Sequence, residues 1–239
     1  MQLLIYIYYI NIHNIKPCDF LEHGSLSYLI STERLNKINK FQKKVDKLQS
    51  LCSELLILFA LEKFGQTHTD KLVYNYNPFG KPELLNYDFS FNISHSKDYV
   101  ICAIANHEYQ KSIGIDIEFK DVNTLLTINP KIFLTEVEYL SLTQSDNIST
   151  YCDRLLDYWC MKEAYVKYLG KGLTQPLKDF YIVSKDNNNN IFHNESIVNC
   201  NMMSLEIDDK YSSYLCYESK QKIFLQEVTC YELFSILNR

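Results

Sequence analysis

From Ile113 to Phe119 apolar and polar positions alternate strictly, with Ile113, Ile115, Ile117 and Phe119 set against Gly114, Asp116 and Glu118. That is the period of a strand with one apolar face. At a rise of about 3.3 Å per residue, the Cα atoms of Asp116 and Glu118 would lie roughly 6.6 Å apart on the other face, near enough for both side chains to converge on one ion. Gly114 precedes them there. Lacking a Cβ, it leaves room for a ligand or another backbone, or else marks a bulge. A second segment has a different period: Tyr158, Met161, Tyr165, Tyr168 and Leu169 fall at helical spacing, and the run stops at Gly170 and Gly172. On this helix Trp159, Glu163 and Lys167 recur every four residues and line one stripe, with Lys162 beside them.

The same patterning predicts the other elements. The first half reads as a strand over 3–12, a basic helix over 32–44, a long apolar helix over 46–64, and strands near 71–75, 88–93 and 99–105. After the 113–119 strand come a helix near 135–142, opened by a Thr135-x-x-Glu138 capping box, and the helix that carries Lys162 and Glu163. Strands near 180–183, 204–207, 215–218 and 223–228 complete the second half. The tract Asn187 to Asn190 is predicted to be a polar hairpin loop between strand-like 180–184 and 191–193. Periodicity alone therefore gives only mixed α and β.

Composition narrows the setting. A chain of 239 residues can bury a sizeable core as one large domain or two small ones. Its net charge of −5 argues against general nucleic-acid binding, which favours basic patches. The eight cysteines, Cys18, Cys52, Cys102, Cys152, Cys160, Cys200, Cys216 and Cys230, are scattered with no C-x-x-C pair. They read as free thiols in a reducing, cytoplasmic setting rather than as a disulfide framework. Residues 3–10 are apolar but too short to span a bilayer and lack a preceding basic segment, so neither a membrane partner nor export is expected.

Three carboxylates, Asp116, Glu118 and Glu163, together with Lys162 and Lys167, suit a site that grips Mg²⁺ and a phosphate ester. Mg²⁺ prefers oxygen ligands and takes a few carboxylates, with phosphates and water filling the rest. The lysines would neutralise charge developing on a leaving phosphate. Each piece also has an ordinary reading. An Asp-x-Glu pair on a strand is commonly a solvated face, Glu163 and Lys167 at i and i+4 form a surface ion pair worth about 0.2–0.5 kcal/mol, and Trp159 is most simply a core residue. His95 between two serines is more often a loop hydrogen-bonder, and Gly80-Lys81-Pro82 alone is a turn. The joint occurrence of these pieces in one order is what independent ordinary readings do not explain.

In that order the chain resembles the 4′-phosphopantetheinyl transferases, specifically the longer surfactin-synthetase-activating type. Gly114-Ile115-Asp116-Ile117-Glu118 is similar to that family's G-[IV]-D-[IV]-E, and Trp159-x-x-Lys162-Glu163-Ala164-x-x-Lys167 to its W-x-x-K-E-[AS]-x-x-K. Gly170-Lys171-Gly172-Leu173 follows as the family's helix exit does. Upstream, Phe91-Asn92-Ile93-Ser94-His95-Ser96 resembles F-N-[IL]-S-H-S, and Gly80-Lys81-Pro82 resembles G-K-P. The motifs run from Gly80 to Leu173, with a weaker likeness upstream to about Ser31.

The resemblance implies an α+β class, with two similar α/β halves related by a pseudo-two-fold axis, residues 1–110 and 111–239, and coenzyme A bound between them. It implies Mg²⁺ on Asp116, Glu118 and Glu163. Lys167 would stabilise or protonate the departing 3′,5′-ADP, and Glu163 would also serve as the base on the attacking serine. Lys81, Ser94, His95 and Lys162 would contact coenzyme A, and Arg34 and Lys37 its 3′-phosphate. The cluster Arg34, Lys37, Lys40, Lys43, Lys44 and Lys47 also has the reading of a solvated helix face. The acceptor would be an apo acyl or peptidyl carrier protein, docking around 120–130, and the enzyme a monomer. One departure stands out: where the family usually has a phosphate-binding Arg at the start of the long first-half helix, this chain has Gln49, which supplies no fixed positive fork. Two other classes use the same residues: a metal-dependent nucleotide pyrophosphohydrolase, with water as acceptor, and a silent coenzyme A or carrier-binding module.

Overall fold

The structure is a computed structural model, and it describes residues 4–15, 26–66, 71–185, 188–218 and 221–237. Along the chain the elements are β1 (Leu4–Asn11), α1 (Leu26–Leu29), α2 (Thr32–Asn39), α3 (Lys44–Lys63), β2 (Tyr74–Tyr76), β3 (Pro82–Leu84), β4 (Phe89–Ser96) and β5 (Tyr99–Asn106). Then follow β6 (Ile113–Phe119), α4 (Val122–Leu125), a 3₁₀ turn at Pro130–Ile132, α5 (Glu136–Thr143), α6 (Ile148–Leu169) and a 3₁₀ turn at Gly172–Thr174. The last elements are β7 (Phe180–Lys185), β8 (Asn188–His193), β9 (Ser196–Ile197), β10 (Asn201–Ser204), β11 (Tyr211–Tyr217), β12 (Lys222–Glu227) and α7 (Cys230–Leu237). The mixed α+β class read from the sequence is therefore the observed one.

Two compact units result, but the division is not a single cut at 110. The first comprises Met1–Asn75, Pro82–Tyr109 and Gln221–Arg239, the second Tyr76–Lys81 and Gln110–Lys220. The C-terminal segment belongs with the first unit because β12 pairs in parallel with β1, Tyr6 facing Phe224 and Tyr8 facing Gln226. Periodicity carries no information about such a remote partner.

In the first unit the sheet order is β12-β1-β5-β4. Helix α3 is buried on every side from Leu48 to Leu61, as an all-round apolar helix must be to lie in a core. Leu51, Leu55 and Leu58 share that core with Tyr8 and Ile10 of β1, Cys102 and Ile104 of β5, and Leu233 of α7. One acid lies within it: Glu54 is 2 % exposed, receives Arg34 Nε at 3.1 Å and accepts a hydrogen bond from the Tyr74 hydroxyl at 2.9 Å. Burial raises its carboxyl above the usual range, against the lowering effect of Arg34 and Tyr74.

In the second unit β10-β11-β6 form an antiparallel sheet, and β7-β8-β9 a smaller one. Helix α6 lies on β6 and β11. Its start is capped by the Asn147 side chain accepting from Thr150 N–H, and its end by Gly170 in the left-handed region at φ 67°. The Thr135–Glu138 capping box forms as the sequence predicts.

Several boundaries differ from the sequence reading. The basic helix ends at Asn39 rather than at 44, and α3 begins at Lys44. The strand expected near 71–75 is Tyr74–Tyr76, and that near 204–207 is Asn201–Ser204, set by pairing with β11. Asn188, Asn189 and Asn190 are not loop but strand, because they pair with Lys185, Ser184 and Val183 across the hairpin. Asn187 and Cys18 lie outside the described residues. No strong period announces helices α1, α4 and α7, and the sequence reading contains none of them. The other seven cysteines are free, five of them buried. Among the described residues no helix is long and apolar enough to cross a membrane.

Gly114 turns out to be a close-approach glycine. A Cβ built there would collide with the Ala164 carbonyl oxygen and the Tyr168 amide nitrogen and lie 2.9 Å from Tyr168 Cα, all of them backbone atoms of α6. Backbone cannot yield as a flexible side chain does, so β6 and α6 would have to separate. Gly114→Ala is expected to destabilise the protein by at least about 1–3 kcal/mol, the usual cost of overpacking, read as a lower urea midpoint at unchanged m-value. A wild-type midpoint would show that the two backbones are not in this contact.

Candidate active site

Because Gly114 lets the backbone of α6 descend onto β6, the polar face of β6 is covered rather than solvated. Ile113, Ile115 and Ile117 are buried on one side, and Asp116, 3 % exposed, is buried on the other. Lys167 of α6 reaches across: its Nζ lies 2.6 Å from Asp116 Oδ1 and donates to the Ile115 carbonyl at 3.2 Å. The Cys160 thiol lies on the same helix face, donates to the Ser212 carbonyl at 3.4 Å, and is pushed far up by burial and by the Asp116 charge. Ser212 in turn faces Glu118 across the β6–β11 ladder and donates to Asp157 Oδ1 at 2.6 Å. Burial raises Asp157 as well.

Glu163, half-buried on α6, shares this environment. Its carboxyl is raised by burial first and then by the charges of Asp116 and Glu118, with Lys167 pulling the other way. The three acids expected to act together are thus within one another's field, and Lys167 is the cation among them. Among the described residues no three His, Cys, Asp or Glu side chains are already gathered as a metal-ligand set. The donor chemistry nonetheless fits a hard divalent ion: three carboxylates, all-oxygen, whose mutual repulsion a cation would relieve.

The lysines of the helical motif separate by role. Lys162, one residue before Glu163 and so rotated about 100° around the helix, is fully buried. Its Nζ pairs with Glu138 Oε1 at 3.0 Å and donates to the carbonyls of Leu177 at 2.7 Å and Phe180 at 3.0 Å. The expected contact between Lys162 and coenzyme A is therefore corrected: all three donors of its ammonium are engaged inside the unit. Glu138 completes the arrangement by accepting from Ile182 N–H and from both the amide and the hydroxyl of Thr135. Burial lowers the Lys162 ammonium, and Glu138 opposes that shift. Trp159 packs edge-on against Phe133 at 5.2 Å and serves the core, its simplest reading.

Lys81, in the second unit, donates to the Ile113 carbonyl at 2.9 Å and the Lys167 carbonyl at 2.7 Å. Asn77, which no sequence pattern singled out, donates to the Gly170 carbonyl at 2.8 Å. In the first unit Ser94 is buried and His95 exposed at the end of β4, Lys37 is exposed on α2, and Arg34 is tied to Glu54. Gln49 is buried. Its amide donates to the Lys97 carbonyl at 2.9 Å, in the β4–β5 turn where Lys97 takes a left-handed φ of 45°. The residue that replaces the expected Arg is thus a hydrogen-bond support for the turn next to His95.

Comparison with known proteins agrees with the motif reading. Residues 112–218 match the family model described as the 4′-phosphopantetheinyl transferase superfamily, and residues 19–107 that described as 4′-phosphopantetheinyl transferase, N-terminal. The 4′-phosphopantetheinyl transferase Sfp of Bacillus subtilis (strain 168) is 31 % identical over 84 % of this chain and 88 % of its own length. The 4′-phosphopantetheinyl transferase gsp of Aneurinibacillus migulanus is 34 % identical over 66 % of this chain, which spans 63 % of gsp. A solved holo-(acyl-carrier-protein) synthase from Bacillus anthracis, in complex with CoA (3′,5′-ADP), covers 46 % of this chain and 98 % of its own at 18 % identity and a TM-score of 0.38, a likeness too weak to define the fold. The chain belongs to the 4′-phosphopantetheinyl transferase superfamily and is an enzyme of that class.

Two outcomes follow from this geometry. Because Glu163 is raised in the folded state, the native protein holds that proton more tightly than the unfolded chain, and stability falls as pH climbs from the ordinary glutamate range through the raised value. In metal-free buffer Glu163→Gln is therefore expected to melt above wild type at pH 7.5, with the gap closing toward pH 4.5; a pH-independent gap would contradict the assignment. Lys162→Met should cost about 3–5 kcal/mol by leaving Glu138 buried without its partner. Urea unfolding measures that loss, and a wild-type midpoint would contradict the buried pairing.

Proposed function

We propose that this enzyme transfers the 4′-phosphopantetheine group of coenzyme A to a serine hydroxyl of an apo acyl or peptidyl carrier protein, releasing 3′,5′-ADP. The single observation that carries the reading is the Lys167–Asp116 pair at 2.6 Å beside a Glu163 raised by burial and by two neighbouring acids. It sets one cation and three carboxylates in a common field.

Glu163 is the base in this reading. Its carboxylate accepts the proton of the attacking serine hydroxyl, directly or through a water. The serine oxygen then forms a bond to the phosphorus that bears pantetheine. The bond from that phosphorus to the bridging oxygen breaks, and the electron pair leaves with 3′,5′-ADP. Lys167 meets the charge that develops on this leaving group, by hydrogen bonding or by giving it a proton. Asp116 keeps Lys167 aimed until the substrate phosphates take over as its partner. Asp116, Glu118 and Glu163 would hold Mg²⁺, which when bound supplies charge neutralisation on the pyrophosphate. Ser94, His95, Arg34 and Lys37 are the proposed contacts for the phosphates and adenylate of coenzyme A. Arg34 keeps one side of its guanidinium for that role, since Nε and one terminal nitrogen already serve Glu54 and the Ser50 carbonyl.

Mass spectrometry of an apo carrier protein incubated with the enzyme, coenzyme A and Mg²⁺ tests the reading. A phosphopantetheine adduct on the carrier supports it. Free 4′-phosphopantetheine without an adduct means hydrolysis, and unchanged reactants mean a binding module; either result overturns it. Asp116→Ala, Glu163→Ala and Lys167→Ala are each expected to abolish the adduct while circular dichroism stays native, and near-wild-type turnover in any of them removes that residue from the mechanism.

A further inference from the structure

We propose that Lys81 and Asn77 are positioning residues, which clamp the C-terminal end of α6 to the first residue of β6 and so set where Lys167 and Asp116 stand. The inference rests on the transferase reading for its kinetic consequence but on geometry for its substance. It replaces the expected role of Lys81 as a coenzyme A contact.

Carbonyls two residues apart along a strand point the same way. On β6 the two in question are those of Ile113 and Ile115, and each receives a lysine ammonium. Lys81 takes Ile113 at 2.9 Å and Lys167 takes Ile115 at 3.2 Å. Lys81 also donates to the main-chain carbonyl of Lys167 at 2.7 Å. Lys167 is thereby fixed twice, at its backbone by Lys81 and at its side chain by β6 and Asp116. In the last turn of α6 the Lys167 carbonyl accepts from the Gly170 amide at 3.2 Å, and a cation at a helix C-terminus is favoured by the helix dipole. Lys81 adds a second donor and that charge.

The turn that presents Lys81 is itself tightly built. Asn77 Oδ1 accepts from the amides of Phe79 and Lys81, both at 2.9 Å, and Gly80 takes φ 88° to close it. The Asn77 amide donates to the Gly170 carbonyl at 2.8 Å. Gly170 is packed so closely that a Cβ there would lie 3.1 Å from both Asn77 Nδ2 and Lys81 Cδ. Residues 77 and 81 therefore grip the terminal turn of α6 at two carbonyls, those of Lys167 and Gly170. Without the grip that turn is held by the Gly170 cap with two side-chain donors fewer, and Lys167 lies within it.

Steady-state kinetics of Lys81→Met and Asn77→Ala in the full chain, with coenzyme A varied, test the clamp. A displacement of about 1 Å at Lys167 costs up to about 100-fold, so kcat is expected to fall about 10- to 100-fold with KM for coenzyme A within about twofold of wild type. Lys81→Arg, which keeps charge and donors, should recover part of kcat. A raised KM at unchanged kcat would make Lys81 a substrate contact, and no change in either constant would show that the clamp does nothing; both overturn the proposal. Amide hydrogen exchange gives a readout independent of activity: residues 113–117 and 166–170 should exchange faster in Lys81→Met, and wild-type rates there would overturn the clamp. Should the wild-type protein itself leave the carrier unmodified, the transferase reading fails, and exchange alone decides the clamp. Asn77→Ala, which removes one grip and keeps the ammonium, serves if Lys81→Met does not fold.

Discussion

The close approach of α6 to β6 at Gly114 is the constraint on which the site depends. A side chain at that position would meet main-chain atoms of the helix, which cannot move aside. Its absence brings the helix down far enough for Lys167 to touch both Asp116 and the strand backbone. One missing methyl group thus converts what would be a solvated acidic face into a buried, charged junction. The same closeness raises Glu163, because water that would screen the three acids is displaced by protein. The packing arrangement and the chemical character of the site are one fact seen at two scales.

Charge inside this protein is handled by pairing within short reach rather than by exposure. Lys162 and Glu138 are both fully buried and satisfy one another, together with two carbonyls, an amide and a capping box. Arg34, Glu54 and Tyr74 do the same in the first unit. Such pairs are costly to desolvate, and removing one member is worse than removing both. Their value here is orientation: Lys162 ties α6 to α5 and to the start of β7, and this holds the rotation of the helix whose next residue is Glu163.

Three lysines of the motifs consequently do three different things. Lys167 faces the acids, Lys162 faces the core, and Lys81 holds carbonyls of β6 and α6. Their residue type is shared because an ammonium can donate three hydrogen bonds in any direction. Whether those donors go to a substrate, a carboxylate or a main-chain oxygen depends on what each tip meets. Gln49 makes the complementary point. Where a guanidinium was expected, a neutral amide supports the left-handed turn beside His95, a task for which fixed charge is not needed.

The strict alternation over 113–119, the helical spacing that stops at Gly170, and the Thr135–Glu138 capping box were all legible in the chain, since each reflects backbone geometry set by near neighbours. So was the grouping of Glu163 and Lys167 on one helical stripe. The pairing of β12 with β1, the strand role of Asn188 to Asn190, the burial of Lys162 against an acid 24 positions earlier and the grip of Asn77 on Gly170 were not. These depend on which remote segment arrives opposite, and no local period encodes that. The amino-acid order by itself determined which side chains share a face and which chemistry they can perform. Only the tertiary structure decided which of the charged ones meet a carboxylate, a carbonyl or solvent, because partners are chosen by contacts between segments far apart along the chain.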